Sequence, residues 1–145
     1  MRTEDINNTW QLPQGDKQAS IDMWDAMAPR FGEHATPTTE TDQFLKLLND
    51  NAMFNSNSRI LDVGCGTGKH ALVLAGECDH VVATDFSEPM LEIGRDRAEQ
   101  LGIANIEFLQ LDWHSADLDA MGYRGAFDLV YARMTPAVQS ADTFM

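Results

Sequence analysis

Apolar residues recur every three to four positions between residues 20 and 31, which predicts an amphipathic helix. Its apolar face consists of Ile21, Trp24, Met27, Ala28 and Phe31. Ser20 is the expected N-cap, and Pro29 is expected to stop or kink the helix. A second, short helix is predicted around residues 44–48, and residues 49–58 are rich enough in Asn and Ser to predict a loop.

From residue 59 the pattern changes to short, continuous apolar runs that alternate with helical segments. Four strands are predicted, over residues 59–63, 80–84, 106–111 and 127–132. A helix is predicted over residues 69–75. A longer helix is predicted to begin at Ser87, with Pro89 in its first turn, and to end at Gly102.

This alternation predicts the fold class and the organisation of the chain. Strands joined through helices form parallel sheets by right-handed crossovers, and strands that are apolar throughout are typical of sheets with helices on both faces. We therefore expect an α/β fold with a three-layer, doubly wound sheet over residues 59–145. Residues 20–58 are expected to form N-terminal helices, and residues 1–19 are expected to form a polar tail.

The balance of charge narrows the classes of partner. The 145-residue chain has a net charge of −13 and contains no stripe of Lys or Arg, which disfavours nucleic acid and anionic membranes as partners. No apolar run approaches the roughly 20 residues needed to cross a bilayer. Cys65 and Cys78 are the only cysteines, and the histidines show no ligand spacing, so no metal site is expected. The sequence predicts a single-domain cytoplasmic protein.

A glycine-rich turn, residues 64–68 with the sequence GCGTG, follows the first predicted strand. Doubly wound folds bind ligands at such turns between a strand and a helix. The dinucleotide fingerprint G-x-G-x-x-G fails here because Lys69 stands where the third glycine is required. The phosphate loop G-x-x-x-x-G-K-[ST] fails because His70 replaces Ser or Thr and Val63 replaces the first glycine. A ligand without a pyrophosphate and a purely structural turn both remain open.

The segment from Asp62 to Gly68 closely resembles motif I of class I S-adenosylmethionine-dependent methyltransferases. This resemblance implies a Rossmann-like methyltransferase fold with S-adenosylmethionine as the cofactor. In that family an acidic residue at the end of the second strand binds both ribose hydroxyls, and Asp85 matches it, although Asp85 taken alone could equally cap a helix. The resemblance implies that Asp62 lies near the methionine ammonium or binds the loop backbone.

Further matches to the family follow at the later strand ends. Met90 matches an apolar side chain that packs against the adenine, although a Met at helical spacing is as often a core residue. Asp112 matches an acidic residue near the adenine amino group, and Trp113 beside it is expected at the edge of the cofactor. The cofactor-binding residues that the resemblance implies are Asp62, Gly64, Cys65, Gly66, Gly68, Asp85, Phe86, Met90, Asp112, Trp113 and Ala132.

The resemblance implies a methyltransferase that acts on a small-molecule acceptor. It includes a lid-like helix at residues 24–28 and stops after the fourth strand, so strands five to seven of the family are expected to be absent. No residue is identified as catalytic. Two alternatives remain: a module that binds S-adenosylmethionine or S-adenosylhomocysteine without turnover, and an interaction protein that has lost the ligand. The apolar edge at residues 127–132 is expected to pair with a second copy, unless the chain is part of a longer protein.

Overall fold

The structure, a computed structural model, describes residues 17–32, 37–113 and 115–133. Four helices, α1 to α4, span Lys17–Gly32, Gln43–Asp50, Lys69–Ala75 and Glu88–Leu101. Four strands, β1 to β4, span Arg59–Val63, His80–Asp85, Ile106–Gln110 and Leu129–Ala132. Most of the expected polar tail, His34 and His114 lie outside the described residues.

The four strands form one parallel sheet in the order β3-β2-β1-β4. In its register, Ile60 of β1 lies opposite Val81 of β2, and Asp62 of β1 lies opposite Tyr131 of β4. The chain moves outward from β1 to β3 on one side and then returns to add β4 on the other side. The strand order therefore reverses next to β1, where open α/β sheets bind their ligands. The predicted α/β class with a parallel sheet is confirmed.

Helices cover one face of this sheet. The buried side chains on this face come from α2, α3, α4 and all four strands, and include Leu45, Leu74, Leu91, Ile60, Val81, Phe108 and Leu129. Helix α1 packs outside this layer, against α4. The apolar positions of the short strands thus form a continuous core with the amphipathic helices.

The second face of the sheet carries a smaller apolar cluster. It consists of Leu61, Val63 and Val82, with Trp113, Tyr123, Phe127 and Ala132 packed against them. The described residues between β3 and β4 form turns and contain no helix. In the described part of the chain, this face is therefore covered by a loop rich in aromatic residues.

Some element boundaries differ from the sequence prediction. Helix α1 begins at Lys17, so Ser20 lies inside the helix and is not the N-cap. The three residues before Ser20 are all good helix formers, and they extend the helix. Strand β3 ends at Gln110, one residue early, and β4 begins at Leu129, two residues later than expected. Phe127 lies before the strand and packs into the cluster on the second face.

Helix α1 also continues through Pro29 to Gly32, so of the stop or kink expected at the proline, the stop is wrong. Aromatic packing spans the proline, since the rings of Trp24 and Phe31 lie 5.9 Å apart between centroids. The last residue, Gly32, lies so close to α4 that a Cβ there would be 3.3 Å from Ile93. The stabilisation from these contacts offsets the loss of the helical hydrogen bond that the proline cannot donate.

The ends of α4 agree with the sequence prediction. Ser87 is the N-cap, Pro89 lies in the first turn, and Gly102 ends the helix with a left-handed φ of 68°. Here the local sequence determines the boundaries, because each of the three residues suits its backbone position.

Candidate functional site

The loop that joins β1 to α3 is the centre of the candidate site. Gly64, Gly66 and Gly68 have φ values of 74°, 58° and 79°, in the left-handed region that favours glycine. Position 68 requires glycine for a second reason, because a Cβ there would lie 2.7 Å from Cε1 of Phe108. The glycines therefore permit the course of the backbone and, at Gly68, the close approach of β3.

Acceptors at the end of β2 hold this loop. The amides of Gly64 and Cys65 both donate to the carbonyl oxygen of Thr84, each at 2.8 Å. The amide of Gly66 donates to Oδ2 of Asp85, also at 2.8 Å. The position of the loop is thus determined by the strand that follows it in the sequence and neighbours it in the sheet.

Asp85 bridges the glycine loop and the start of α4. Its Oδ1 accepts a hydrogen bond from the amide of Ser87 at 2.9 Å, while Oδ2 accepts from Gly66. Burial raises the pKa of Asp85, against the opposing effect of hydrogen bonds from backbone amides. The sequence left open a capping role and a ribose contact. Asp85 does not cap α4, because the N-cap is Ser87 and the contact with the Ser87 amide closes a turn just before the helix. The ribose contact stays a prediction, and each carboxylate oxygen retains a lone pair for a further donor.

Asp62 lies at the floor of the loop and is only 4% exposed. Its Oδ2 accepts a hydrogen bond from the hydroxyl of Tyr131 at 2.7 Å. Burial raises the pKa of Asp62 to about 7; the Tyr131 hydrogen bond lowers it and the charge of Asp85 raises it. The loop-backbone contact considered for Asp62 is made instead by Asp85, whose carboxylate reaches the amide of Gly66.

A cleft of about 300 Å³ lies at the carboxyl ends of β2 and β3. The residues that line it are Ile21, Phe86, Gln110, Leu111 and Asp112. Phe86 and Asp112 belong to the residues expected to bind the cofactor, and the structure brings them together here. Ile21 comes from α1, which therefore closes one side of the cleft. The sequence assigned Ile21 only to the apolar face of that helix.

Met90 lies beneath the loop and is buried, with 2% of its surface exposed. Its Sδ would be 4.0 Å from a Cβ at Gly66, an ordinary packing distance. Met90 is therefore packed beneath the glycine loop, and its contact with the adenine stays a prediction.

Trp113 faces the second side of the sheet. Its indole N–H donates to Oγ1 of Thr84 at 2.9 Å, and its ring packs with Leu61, Val63 and Val82. Ala132, at the end of β4, packs against the same cluster. The ring of Trp113 thus packs on the sheet, while its neighbour Asp112 lines the cleft. The expected position of Trp113 at the edge of the cofactor stays a prediction.

A polar contact that the sequence did not reveal joins α1 to the site. Oγ of Ser87 donates to Oδ1 of Asp25 at 2.5 Å, and Ser87 is fully buried. The amide of the same serine donates to Asp85, so a chain of hydrogen bonds runs from α1 to the glycine loop. The serine was identified only as an N-cap, and no sequence pattern links it to a residue 62 positions earlier.

A second group that the sequence missed surrounds His70 at the start of α3. Nε2 of His70 lies 2.9 Å from Oδ2 of Asp42 and 3.3 Å from Nη1 of Arg133. The Arg133 guanidinium also lies over the ring of Phe44, 5.2 Å from its centroid. Arg133 follows β4 directly, so this group stands at the carboxyl end of that strand.

The two oxygens of the Asp42 carboxylate make different contacts. Its Oδ1 accepts from the amides of Phe44 and Leu45 at 3.0 Å each, which caps α2, while Oδ2 meets His70. Burial would raise the pKa of Asp42, but the hydrogen bonds from His70 and from the two amides outweigh it and lower the pKa. Asp42 therefore anchors α2 to the helix that follows the glycine loop.

Among the described residues, no group of three or more His, Cys, Asp or Glu side chains could hold a metal ion. Of the helices in the described ranges, none is both long and apolar enough to span a bilayer. Cys65 and Cys78 are free thiols.

The buried carboxylate of Asp62 should make stability depend on pH. Because its folded pKa is raised, it keeps its proton at pH values where the unfolded chain has lost it, so stability falls as pH rises from about 4 to about 7. We expect Asp62→Asn to be more stable than the parent near pH 8. The decrease in the free energy of unfolding that Asp62 causes in the parent, at most about 1.4 kcal/mol per pH unit, should be absent in this variant. Urea unfolding at several pH values measures this.

The exposed Asp79 provides the control for this measurement. Asp79→Asn should leave the pH dependence of the parent unchanged. Equal pH slopes for Asp62→Asn and the parent would contradict the assignment of this dependence to Asp62.

Comparison with known proteins adds a family match and several partial relatives. A family model described as a methyltransferase domain matches residues 54–143. A demethylmenaquinone methyltransferase of Clavibacter sepedonicus is 47% identical over 57 residues, covering 39% of this chain and 22% of that protein. The release factor glutamine methyltransferase of Escherichia coli is 44% identical over 61 residues, covering 40% and 22%. A 23S rRNA (uracil(1939)-C(5))-methyltransferase of Alkalilimnicola ehrlichii is 35% identical over 89 residues, covering 61% and 19%.

The matched segments span only about a fifth of the length of these relatives.

Solved structures share the fold. The YcgJ protein of Bacillus subtilis has a TM-score of 0.52 and 26% identity, covering 61% of this chain and 36% of that one. The cyclase SpnF has a TM-score of 0.53 and 24% identity, covering 68% and 44%. A cyclase with this architecture illustrates that the fold does not by itself determine the chemistry.

Proposed function

The chain belongs to the methyltransferase domain family, and we propose that it binds S-adenosylmethionine and transfers the methyl group to an acceptor. One observation carries the proposal. Three left-handed glycines turn the backbone after β1, where the strand order reverses, and a cleft of about 300 Å³ lies at the carboxyl ends of the next two strands, β2 and β3. Glycines let a ligand approach the backbone closely, and the cleft volume falls at the lower end of the roughly 300–1,000 Å³ range of ligand sites.

The chemistry of the surrounding side chains fits this cofactor. The Asp85 carboxylate can accept hydrogen bonds from the two ribose hydroxyls through its remaining lone pairs. Phe86 and Asp112, which line the cleft, offer a ring and a carboxylate for the adenine and its amino group. Asp62 supplies negative charge next to the glycine loop for a cofactor that carries positive charge.

When bound, S-adenosylmethionine supplies a methyl group on a sulfonium whose leaving thioether needs no proton. The contribution of the protein is then mainly to hold the acceptor in line and exclude water. We propose that the end of β4, at Ala132, faces the acceptor. The Tyr131 hydroxyl already donates to Asp62, and no described side chain is assigned as a general base.

We propose a small molecule as the acceptor. The relatives act, by their names, on a quinone precursor, a ribosomal RNA and a protein, so they do not point to one class. The net charge of −13 supports a small acceptor over RNA, because a phosphate backbone is repelled by such a surface.

The two free thiols support a cytoplasmic location, since reduced cysteines are typical of that compartment.

Transfer of radiolabelled methyl groups tests the acceptor class. Three pools are offered with methyl-labelled S-adenosylmethionine: a panel of quinols, catechols and small carboxylic acids, purified ribosomal RNA, and purified protein. We expect label in the small-molecule pool. Label only in RNA or protein would contradict the proposal, and cofactor binding without any transfer would favour a binding module.

Pairing between copies through β4 is also part of the proposal. Val130 is 51% exposed on this strand, whereas Leu129 and Tyr131 are buried. Among the described strands, β4 pairs only with β1. An unpaired strand edge with an exposed apolar side chain favours association. Light scattering across a range of concentrations measures it.

The glycine loop should discriminate against other nucleotides. We expect neither NAD nor ATP to raise the melting temperature at millimolar concentration, while S-adenosylhomocysteine raises it. Lys69 replaces the third glycine of the dinucleotide fingerprint, and His70 replaces the hydroxyl residue of the phosphate loop. Saturable micromolar binding of either nucleotide would contradict this interpretation of the loop.

A further inference from the structure

Asp62 and Tyr131 form a buried polar pair between β1 and β4. They lie directly opposite each other in the register of the two strands. The Tyr131 hydroxyl donates to Oδ2 of Asp62 at 2.7 Å, and the two residues are 9% and 4% exposed. Within the described ranges, this hydroxyl is the one hydrogen-bond donor to the Asp62 carboxylate.

The orientation of the Tyr131 ring is itself constrained. The ring of Phe44 packs against it with centroids 5.1 Å apart. On the other side of β1, the residue opposite Asp62 is Ala83 of β2, whose methyl group offers no hydrogen bond. The hydrogen bond to the carboxylate therefore comes from β4 and not from β2.

The charges around Asp62 disfavour its ionised form. Asp85 adds a negative charge from the end of β2, and burial removes water. Cys65, in the loop above, has a pKa raised well above its ordinary value, chiefly by burial, and supplies no positive charge. The positive charge of Arg95 in α4 lowers the pKa of Cys65, but this is the smallest of the effects on that pKa.

The Tyr131 hydroxyl acts in the opposite direction. Burial and the neighbouring carboxylate raise the pKa of Tyr131 well above its ordinary value, so the hydroxyl keeps its proton and remains a donor. A hydrogen bond to an ionised acceptor is stronger than one to a neutral acceptor. The contact therefore favours the carboxylate over the carboxylic acid.

We propose that Tyr131 is a positioning residue of the cofactor site, whose hydroxyl holds Asp62 as an oriented carboxylate so that the site favours a positively charged ligand. This inference rests on the proposed function for the identity of the ligand. It adds a residue that acts through Asp62 and does not need to touch the cofactor. A hydrogen bond with a purely structural role would also shift the titration of Asp62, but it would leave the pH dependence of cofactor binding unchanged.

The first experiment uses the protein without ligand. Carboxyl carbon resonances are followed by NMR between about pH 4 and pH 9 in the parent and in Tyr131→Phe, with Asp62→Asn assigning the Asp62 signal. We expect the Asp62 midpoint to move upward by about one to two pH units in Tyr131→Phe. An unchanged midpoint in a folded variant would overturn the proposal.

The second experiment measures the dissociation constant of S-adenosylmethionine against pH. The parent should bind more tightly as pH rises through about 7, where Asp62 ionises. In Tyr131→Phe this rise should move to higher pH, and Asp62→Asn should bind at least tenfold more weakly at pH 8 with a flat profile. Identical pH profiles for the parent and Tyr131→Phe would refute the positioning role.

Tyr123→Phe is the matched control. Tyr123 packs on the second face of the sheet, against Phe127 with ring centroids 5.2 Å apart, and its hydroxyl is remote from the pair. Its removal should change neither the Asp62 midpoint nor the binding profile. If the folded parent binds no S-adenosylmethionine, the proposed function fails, while the titration without ligand still decides whether Tyr131 controls Asp62.

Discussion

Gly68→Ala should destabilise the fold by about 2–4 kcal/mol, measured by urea unfolding. The alanine would have to adopt a φ of 79°, and its Cβ would lie 2.7 Å from Cε1 and 2.9 Å from Cζ of the buried Phe108. The two costs add because the backbone of the loop is held by Thr84 and Asp85 and cannot move away easily.

Two further variants separate the backbone cost from the clash. Gly102 has a similar φ of 68° but no atom within 4 Å of its hypothetical Cβ, so Gly102→Ala should cost only about 1 kcal/mol. Adding Phe108→Leu to Gly68→Ala should recover part of the lost stability, because the smaller side chain relieves the clash. If Gly68→Ala costs no more than Gly102→Ala, the close packing of the loop on β3 is refuted.

Asp85→Ala should weaken the binding of S-adenosylmethionine at least tenfold and also lower the free energy of unfolding by about 1–3 kcal/mol. The affinity falls because a charged acceptor for the ribose hydroxyls is lost. The stability falls because the amides of Gly66 and Ser87 both lose their acceptor. Calorimetric titration and urea unfolding of the same samples measure the two effects.

Asp117→Ala is the matched control for Asp85→Ala. The Asp117 carboxylate also accepts from two backbone amides, those of Asp119 and Ala120, but it is exposed and distant from the loop. Its removal should cost less stability and leave affinity unchanged. Unchanged affinity in Asp85→Ala would leave Asp85 with only the structural role of holding the glycine loop and the turn before α4.

The sequence predicted the parts of this fold that local chemistry determines. The continuous apolar runs predicted β1 and β2, and Ser87 and Gly102 determined the ends of α4. The glycine loop could be identified because its backbone conformation demands glycine at three alternate positions. In each case the residue type and its immediate neighbours carry the information.

The sequence could not predict contacts between distant residues. The Tyr131–Asp62 hydrogen bond depends on the register of β4 against β1, which is determined by packing across the whole sheet. The Asp25–Ser87 contact depends on how α1 packs on α4. Ser20 was misassigned for a related reason, because a good capping residue inside a run of helix formers does not begin the helix.

The stability expectation for Asp85 also changes with the structure. From the sequence alone, a residue present for the ligand should affect stability little when it is removed. The two amides bonded to its side chain make it a structural residue as well. Because the carboxylate that holds the loop is also the one we propose to bind the ribose, the loss of stability and the loss of cofactor affinity in Asp85→Ala should occur together.

Isothermal titration calorimetry with S-adenosylmethionine and S-adenosylhomocysteine shows directly whether the chain binds the methyltransferase cofactor. We expect saturable heat with both ligands at one site per chain, with the heat strongly reduced in Asp85→Ala. A sample shown to be folded by circular dichroism that gives neither heat nor a thermal shift at millimolar concentrations of either ligand would contradict it.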